Sequence, residues 1–78
     1  MTPGQCRAAR GFLDWTVNDL ACAASLPIST VSNYEKGRRL PHVSNITAME
    51  AVLIAAGITF RVSGSIETVG YEIRTGRS

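Results

Sequence analysis

Pro27 stands between two segments that each have helical character, and this position limits the fold more than any other in the sequence. Proline has no backbone N–H and its ring clashes with the preceding turn, so a helix that comes before Pro27 must end there. Leu26 is also biased away from helical backbone because it precedes a proline. The sequence therefore predicts two short helices in this region.

Both helices have further boundary signals. Thr16-Val17-Asn18-Asp19 predicts a helix start, because Thr16 can cap the helix and Asp19 stands at the third helical position of a capping box. The next helix is predicted at Ile28–Lys36, and Gly37 after it suits a left-handed C-terminal cap. A turn of about three residues is expected to join the two helices.

The rest of the chain predicts two more helices and two strands. Thr2-Pro3-Gly4-Gln5 is a helix start, and that helix runs to about Leu13. Ser44 is expected to cap a helix from Asn45 to Ala56 that stops at Gly57. Beyond it, polar residues alternate with the apolar residues Ile58, Phe60, Val62, Val69, Tyr71 and Ile73, which predicts a β-hairpin with its turn near residues 63–68.

The predicted fold is therefore mainly α, with four helices in residues 1–57 and a β-hairpin and tail in residues 58–78. An isolated hairpin is marginally stable, so it must pack on the helices or pair with another chain. We expect Cys6 and Cys22 to be buried reduced thiols, and Arg7 and Arg10 to point toward solvent. The expected core stripes contain Cys6, Ala9, Leu13, Ile46, Met49, Leu53 and Ala56.

Composition excludes several classes of function. A chain of 78 residues has little apolar surface with which to build a deep catalytic cleft, and one His with scattered acids supplies no nucleophile–base pair. The two cysteines form no CxxC pair, so neither a metal nor a cofactor is expected. The apolar runs are too short to span a bilayer and no signal peptide is evident, which predicts a cytoplasmic, non-enzymatic binding module.

The spacing of the two short helices is that of a DNA-binding helix-turn-helix. The segments Trp15-Thr16-Val17-Asn18-Asp19-Leu20-Ala21 and Ser29-Thr30-Val31-Ser32-Asn33-Tyr34-Glu35-Lys36-Gly37 resemble the Xre or lambda-Cro repressor family, and the resemblance extends over about residues 3–60. It implies a lambda-repressor-like domain, a transcriptional regulator that binds a palindromic operator as a homodimer.

The resemblance also implies which residues contact DNA. The third helix would enter the major groove, where its outward residues meet base edges, while Val31 and Tyr34 face the core. The implied base contacts are Ile28, Ser29, Ser32 and Asn33. The implied phosphate contacts are Thr16 and Val17 at the start of the second helix, Thr30, Lys36, Arg38 and Arg39, with Arg10 as an addition.

Several positions depart from the family pattern. Val17 replaces a common Gln, Pro27 replaces a small polar cap, and Ser25 replaces a Gly, so we expect a strained or differently shaped turn. No Lys or Arg occurs between Gly11 and Glu35. This weak charge supports an alternative function, a helix-turn-helix fold that binds a regulatory protein as an antiactivator or antitoxin does.

The resemblance also implies a homodimer interface after the third helix, where members of this family commonly dimerise, and a two-fold dimer is what a palindromic operator requires. Val52 and Ile54 lie off the predicted core stripe of the fourth helix. The hairpin is expected to stabilise the dimer, either by packing under the fourth helix or by pairing across the two-fold axis. The residues predicted at this interface are Val52, Ile54, Phe60 and Tyr71.

Overall fold

A computed structural model describes residues 1–72 of the chain, and these residues form four helices followed by a two-stranded antiparallel hairpin. Ile73, which was predicted in the second strand, and the end of the 58–78 segment lie outside the described residues. The mainly helical prediction is confirmed. The elements are α1 (Pro3–Leu13), α2 (Val17–Ala24), α3 (Ile28–Glu35), α4 (Val43–Ala55), β1 (Ile58–Ser63) and β2 (Ile66–Tyr71).

The first two helices begin at the predicted capping boxes. Thr2 Oγ1 accepts from the Gln5 N–H, and the Gln5 side chain accepts from the Thr2 N–H. Thr16 and Asp19 make the same reciprocal pair at the start of α2. Each box satisfies backbone donors that the helix itself cannot satisfy, which fixes where the helix begins.

All five connections between the described elements contain a residue with positive φ, at Asp14, Ser25, Gly37, Gly57 and Gly64. Gly37 after α3 has φ 69° and Gly57 after α4 has φ 109°, as expected for residues that end helices. Ser25 between α2 and α3 has φ 58°, a conformation that favours glycine. The turn is therefore left-handed at a residue with a side chain, which agrees with the expectation of strain.

The start of α4 differs from the sequence-based prediction. His42, not Ser44, is the N-cap, and the helix begins at Val43. The imidazole Nδ1 of His42 accepts from the Ser44 N–H at 3.1 Å and lies 2.9 Å from Ser44 Oγ. An imidazole nitrogen thus takes the place of the hydroxyl acceptor that was predicted two residues later.

The core lies where all four helices meet the start of β1. Cys6 is buried as predicted, but Cys22 is exposed, because α2 contributes its Leu20 and Ala21 side to the core and Cys22 lies off that side. The buried apolar residues are Cys6, Ala9, Leu20, Ala21, Val31, Tyr34, Met49, Leu53 and Ile58.

The hairpin packs on the helices of its own chain, with β2 against α1 and β1 against α4. Its two strands pair from Ile58 with Tyr71 to Ser63 with Ile66, and Gly64 and Ser65 form the turn. Buried Gln5 fastens the hairpin to α1, because its Nε2 donates to the Arg61 carbonyl at 2.9 Å and the Thr68 carbonyl at 3.0 Å. The hairpin therefore packs on the helices of its own chain, and its contribution to a dimer stays a prediction.

None of the helices in residues 1–72 has the length and apolar character needed to cross a membrane.

Candidate nucleic-acid interface

The outward side of α3 presents the four residues predicted to contact bases. Ile28 and Ser29 are exposed, and Ser32 and Asn33 are half-buried. Val31 and Tyr34, predicted to face the core, are buried on the opposite side of the helix. The helix therefore has a core side and an outward side. We call the outward side the recognition face; its residues are Ile28, Ser29, Ser32 and Asn33.

A groove of about 300 Å³ runs between part of this face and the segment that leads into α4. From α3 it is lined by Ser29 and Asn33, together with Thr30. Arg39 stands at the same groove, so a cationic donor lies beside neutral hydroxyl and amide groups. The remaining lining residues are Leu40, Pro41, His42 and Asn45.

His42 and Asn45 are the two polar lining residues that the sequence did not predict. His42 accepts the Ser44 N–H through Nδ1, so its neutral ring carries a proton on Nε2, which is then a donor. Asn45 stands on α4, ten residues after the end of α3, and no local pattern connects the two helices. Recognising His42 as the cap of α4 would have placed His42 and Asn45 together at the start of that helix.

A buried ion pair holds α3 against α1. Arg10 donates to Glu35 through both Nε and Nη2, each at 2.6 Å, and its Nη1 donates to the Trp15 carbonyl at 2.9 Å. The Glu35 side chain is 4% exposed and the Arg10 side chain 19% exposed. Two charge-assisted bonds in fork geometry are among the stronger polar contacts in proteins.

These contacts correct the expected orientation of Arg10. The guanidinium turns toward Glu35 rather than solvent, because a buried carboxylate without a partner would be costly. Of the residues predicted to contact phosphate, Arg10 is therefore the one whose cation is already paired in residues 1–72. The hydrogen bond with Glu35 raises the pKa of Arg10 above its usual value, so the guanidinium stays charged.

Two further residues of α1 complete this cluster. Cys6 Sγ donates to Glu35 Oε2 at 3.2 Å, and Arg7 Nη1 donates to the Glu35 carbonyl. Burial, and then the hydrogen bond with Glu35, raises the pKa of the Cys6 thiol, which keeps it protonated. Burial also raises the pKa of Tyr34 to about 12. The cluster is therefore a fixed polar contact between α1 and the end of α3.

The cations that follow α3 are placed in solvent. Lys36, Arg38 and Arg39 are all exposed. Glu35, the acid next to them in sequence, is buried and paired with Arg10. The negative charge of Glu35 is thus neutralised inside the chain.

The start of α2 offers less to an anion than the sequence suggests. Thr16 is exposed, but its N–H donates to Asp19 Oδ2 at 2.9 Å. The carboxylate of Asp19 therefore lies where a phosphate oxygen would compete for the same donor. The Val17 N–H begins the helix and has no acceptor within it.

The residues predicted at a dimer interface differ in exposure. Ile54 is 53% exposed, whereas Val52, Phe60 and Tyr71 are partly buried and pack against the core of their own chain. The Tyr71 ring also lies 6.0 Å, between centroids, from the ring of Phe12. Ile54 is the member of this set that is most available to a second molecule.

No protein-family model matches the sequence, and no curated protein sequence matches it either. Within residues 1–72, no group of three or more His, Cys, Asp or Glu side chains could hold a metal ion.

Proposed function

We propose that this chain is a sequence-specific DNA-binding transcriptional regulator that inserts α3 into the major groove. The observation that carries the proposal is the groove in which Ser29, Asn33 and Arg39 meet. It combines uncharged hydrogen-bonding side chains on an exposed helix with an adjacent cation. This is the combination by which a helix contacts base edges while a neighbouring group contacts the backbone.

The chemistry of the recognition face suits base contact. The amide of Asn33 can make a bidentate contact with adenine, and the hydroxyls of Ser29 and Ser32 can donate or accept. The exposed side chain of Ile28 can meet a thymine methyl group. With eight residues, α3 is about 12 Å long, a length that the major groove accepts.

The exposed loop after α3 supplies the proposed phosphate contacts. Lys36, Arg38 and Arg39 are exposed and can approach the backbone of DNA, and Thr30 lies at the edge of the groove. Thr16 is a weaker member of this set, because Asp19 already accepts from its N–H, whereas the Val17 N–H has no acceptor within the helix. Asn45 joins the set of proposed contacts because it lines the same groove.

The regulator is proposed to act in the cytoplasm as a homodimer on a palindromic operator, without a cofactor and not as an enzyme. Two copies of α3 would then enter successive major grooves, and the half-sites would lie about one helical turn apart. One chain has a net charge of only +2, so its electrostatic attraction to DNA is modest. A dimer doubles the number of cations that can contact phosphate.

Titration of a labelled duplex from upstream of the chain's own gene tests the proposal. At low salt we expect binding tighter than to a scrambled duplex, and we expect both affinities to fall at higher salt because phosphate contacts release counterions. Equal affinity for both duplexes, or no binding at either salt concentration, would refute the proposal. Circular dichroism of the same sample verifies that the protein is folded.

A second candidate function, binding of another regulatory protein, is favoured by one observation. Leu40 is 80% exposed and Val43 is 73% exposed. Leu40 also borders a second cleft of about 260 Å³, which Met1, Pro3 and Ile46 line with apolar groups. Exposed apolar surface of this kind marks protein contacts. A Leu40→Ser variant that retains DNA affinity but loses regulation would favour this function.

A further inference from the structure

Two residues of the segment after α3 border both hollows of the surface. Arg39 and Leu40 line the groove beside α3, and they also line the second cleft, of about 260 Å³. Arg39 is exposed, and the ion pairs in residues 1–72 involve Arg10 and the Met1 ammonium rather than Arg39. Its guanidinium is therefore available to an anion from either side.

The second cleft combines an apolar wall with one charged side chain. Its apolar groups come from four residues, Met1, Pro3, Leu40 and Ile46. Arg39 is the charged side chain among the lining residues. The ammonium of Met1 is already paired, because it donates to Glu50 Oε2 at 3.1 Å. An occupant that matches this lining has an apolar body and a single negative charge.

The hydroxyl groups at the wall of the second cleft already have partners. Tyr34 Oη donates to the Met1 carbonyl at 2.8 Å, and Thr2 Oγ1 donates to Glu67 Oε1 at 2.8 Å. Neither hydroxyl has a proton left for a neutral polar ligand, whereas a guanidinium has a fork of donors that matches a carboxylate. The bonds of Met1 to α3 and α4 also form the cleft before a ligand arrives, which lowers the cost of binding.

We propose that the second cleft binds a small monocarboxylate, with its apolar body against Leu40 and Ile46 and its carboxylate on Arg39. The volume of about 260 Å³ lies just below the roughly 300–1,000 Å³ of pockets for drug-sized ligands, so the body is a single ring or a short chain. Because the ion pair is exposed to solvent, we expect a dissociation constant of about 1 mM.

This ligand is an effector of the proposed DNA binding. Once a carboxylate in the second cleft holds the guanidinium of Arg39, that guanidinium no longer contacts a DNA phosphate. This step rests on the proposed function, whereas carboxylate binding itself does not. By linkage, the ligand and DNA lower each other's affinity by the same factor. Phosphate contacts carry no sequence information, so the loss is equal on operator and random DNA.

NMR titration of the isotope-labelled full chain with sodium benzoate and, separately, sodium hexanoate tests the binding, without DNA and at constant ionic strength. We expect saturable amide shifts centred on Arg39, Leu40 and Ile46. Benzamide keeps the ring without the charge and acetate keeps the charge without the ring, so each should bind at least tenfold more weakly than benzoate. No saturable shift with either carboxylate, or benzamide binding as tight as benzoate binding, overturns the inference.

Two arginine variants assign the site. Arg39→Gln should weaken benzoate binding at least tenfold. Arg38→Gln is the matched control, because Arg38 is exposed and adjacent but lines neither hollow in residues 1–72; it should bind benzoate as the wild-type chain does. Both side chains are exposed, so the spectra of both variants should show the wild-type fold. Equal benzoate affinity in the two variants overturns the inference.

Fluorescence anisotropy with labelled duplexes tests the coupling to DNA. Saturating benzoate should lower the wild-type affinity for operator and random duplexes by the same factor and reduce the salt dependence by about one ion per chain. It should leave the DNA affinity of Arg39→Gln unchanged. An unchanged wild-type DNA affinity in saturating benzoate overturns the competition, whereas benzoate binding by a chain that does not bind DNA rejects only the proposed function.

Discussion

The ion pair between Arg10 and Glu35 gives the sharpest prediction about stability. Replacing Arg10 by Met keeps most of the aliphatic stem but removes the guanidinium. The carboxylate of Glu35, 4% exposed, then loses both 2.6 Å bonds and remains buried. Leaving one partner of a buried pair alone costs about 3–5 kcal/mol.

The reverse change is expected to cost less. Glu35→Gln leaves Arg10 unpaired, but the Arg10 side chain is 19% exposed and can still contact water. We expect a loss of about 1–3 kcal/mol, the usual cost of an impaired buried hydrogen bond. The double variant should be more stable than the sum of the two losses predicts, because it no longer contains an unpaired charge.

Urea unfolding followed by Trp15 fluorescence and circular dichroism measures these differences. A domain of 78 residues has about 4–12 kcal/mol of stability, so Arg10→Met should lower the midpoint greatly without changing the slope. Arg38→Met is the matched control, because that cation is exposed, and it should stay within about 0.5 kcal/mol. Equal small losses in Arg10→Met and Arg38→Met would refute the buried pair.

Three other features of the fold have testable consequences. Gln5→Ala should destabilise the fold by about 2–3 kcal/mol and speed amide exchange in the hairpin, because two carbonyls lose their donor; unchanged exchange would contradict this. Gly57→Ala should lower the melting temperature, because φ is 109° and an added Cβ would lie 2.7 Å from the Glu72 carbonyl oxygen. Gly11→Ala should raise the melting temperature, because an added Cβ there meets open space and alanine favours helix more than glycine does. Burial raises the pKa of Cys6 above its ordinary 9.0, so the folded state keeps a proton that the unfolded state releases. Stability should therefore fall above pH 9, by up to about 1.4 kcal/mol per pH unit, and Cys6→Ala should flatten the slope.

Local chemistry explains why most of the fold could be predicted from the sequence. Thr2 and Thr16 start helices because each has its partner three residues away, within the same turn. Gly57 ends a helix because its backbone takes a conformation that other residues rarely adopt. His42 was missed because imidazole is an uncommon cap, and hydroxyl and carboxamide side chains are the usual signals.

The candidate site was less predictable because its contacts join distant parts of the chain. Arg10 and Glu35 are 25 residues apart, and nothing in the local pattern of either residue indicates its partner. The exposure of Cys22 likewise depends on which side of α2 meets the core. Helical spacing predicted the recognition face, whereas Asn45 lines the groove only because the fold brings the start of α4 to it.

The central claim is that Asn33 contacts a base while the exposed loop contacts phosphate. The most direct test compares Asn33→Ala and Arg38→Ala on a set of operator duplexes with single base-pair changes and on random DNA. Asn33→Ala should remove about 1–3 kcal/mol of preference at one base pair and leave random DNA nearly unaffected. Arg38→Ala should weaken all duplexes alike and reduce the salt dependence. Equal losses on operator and random DNA for Asn33→Ala would contradict the account.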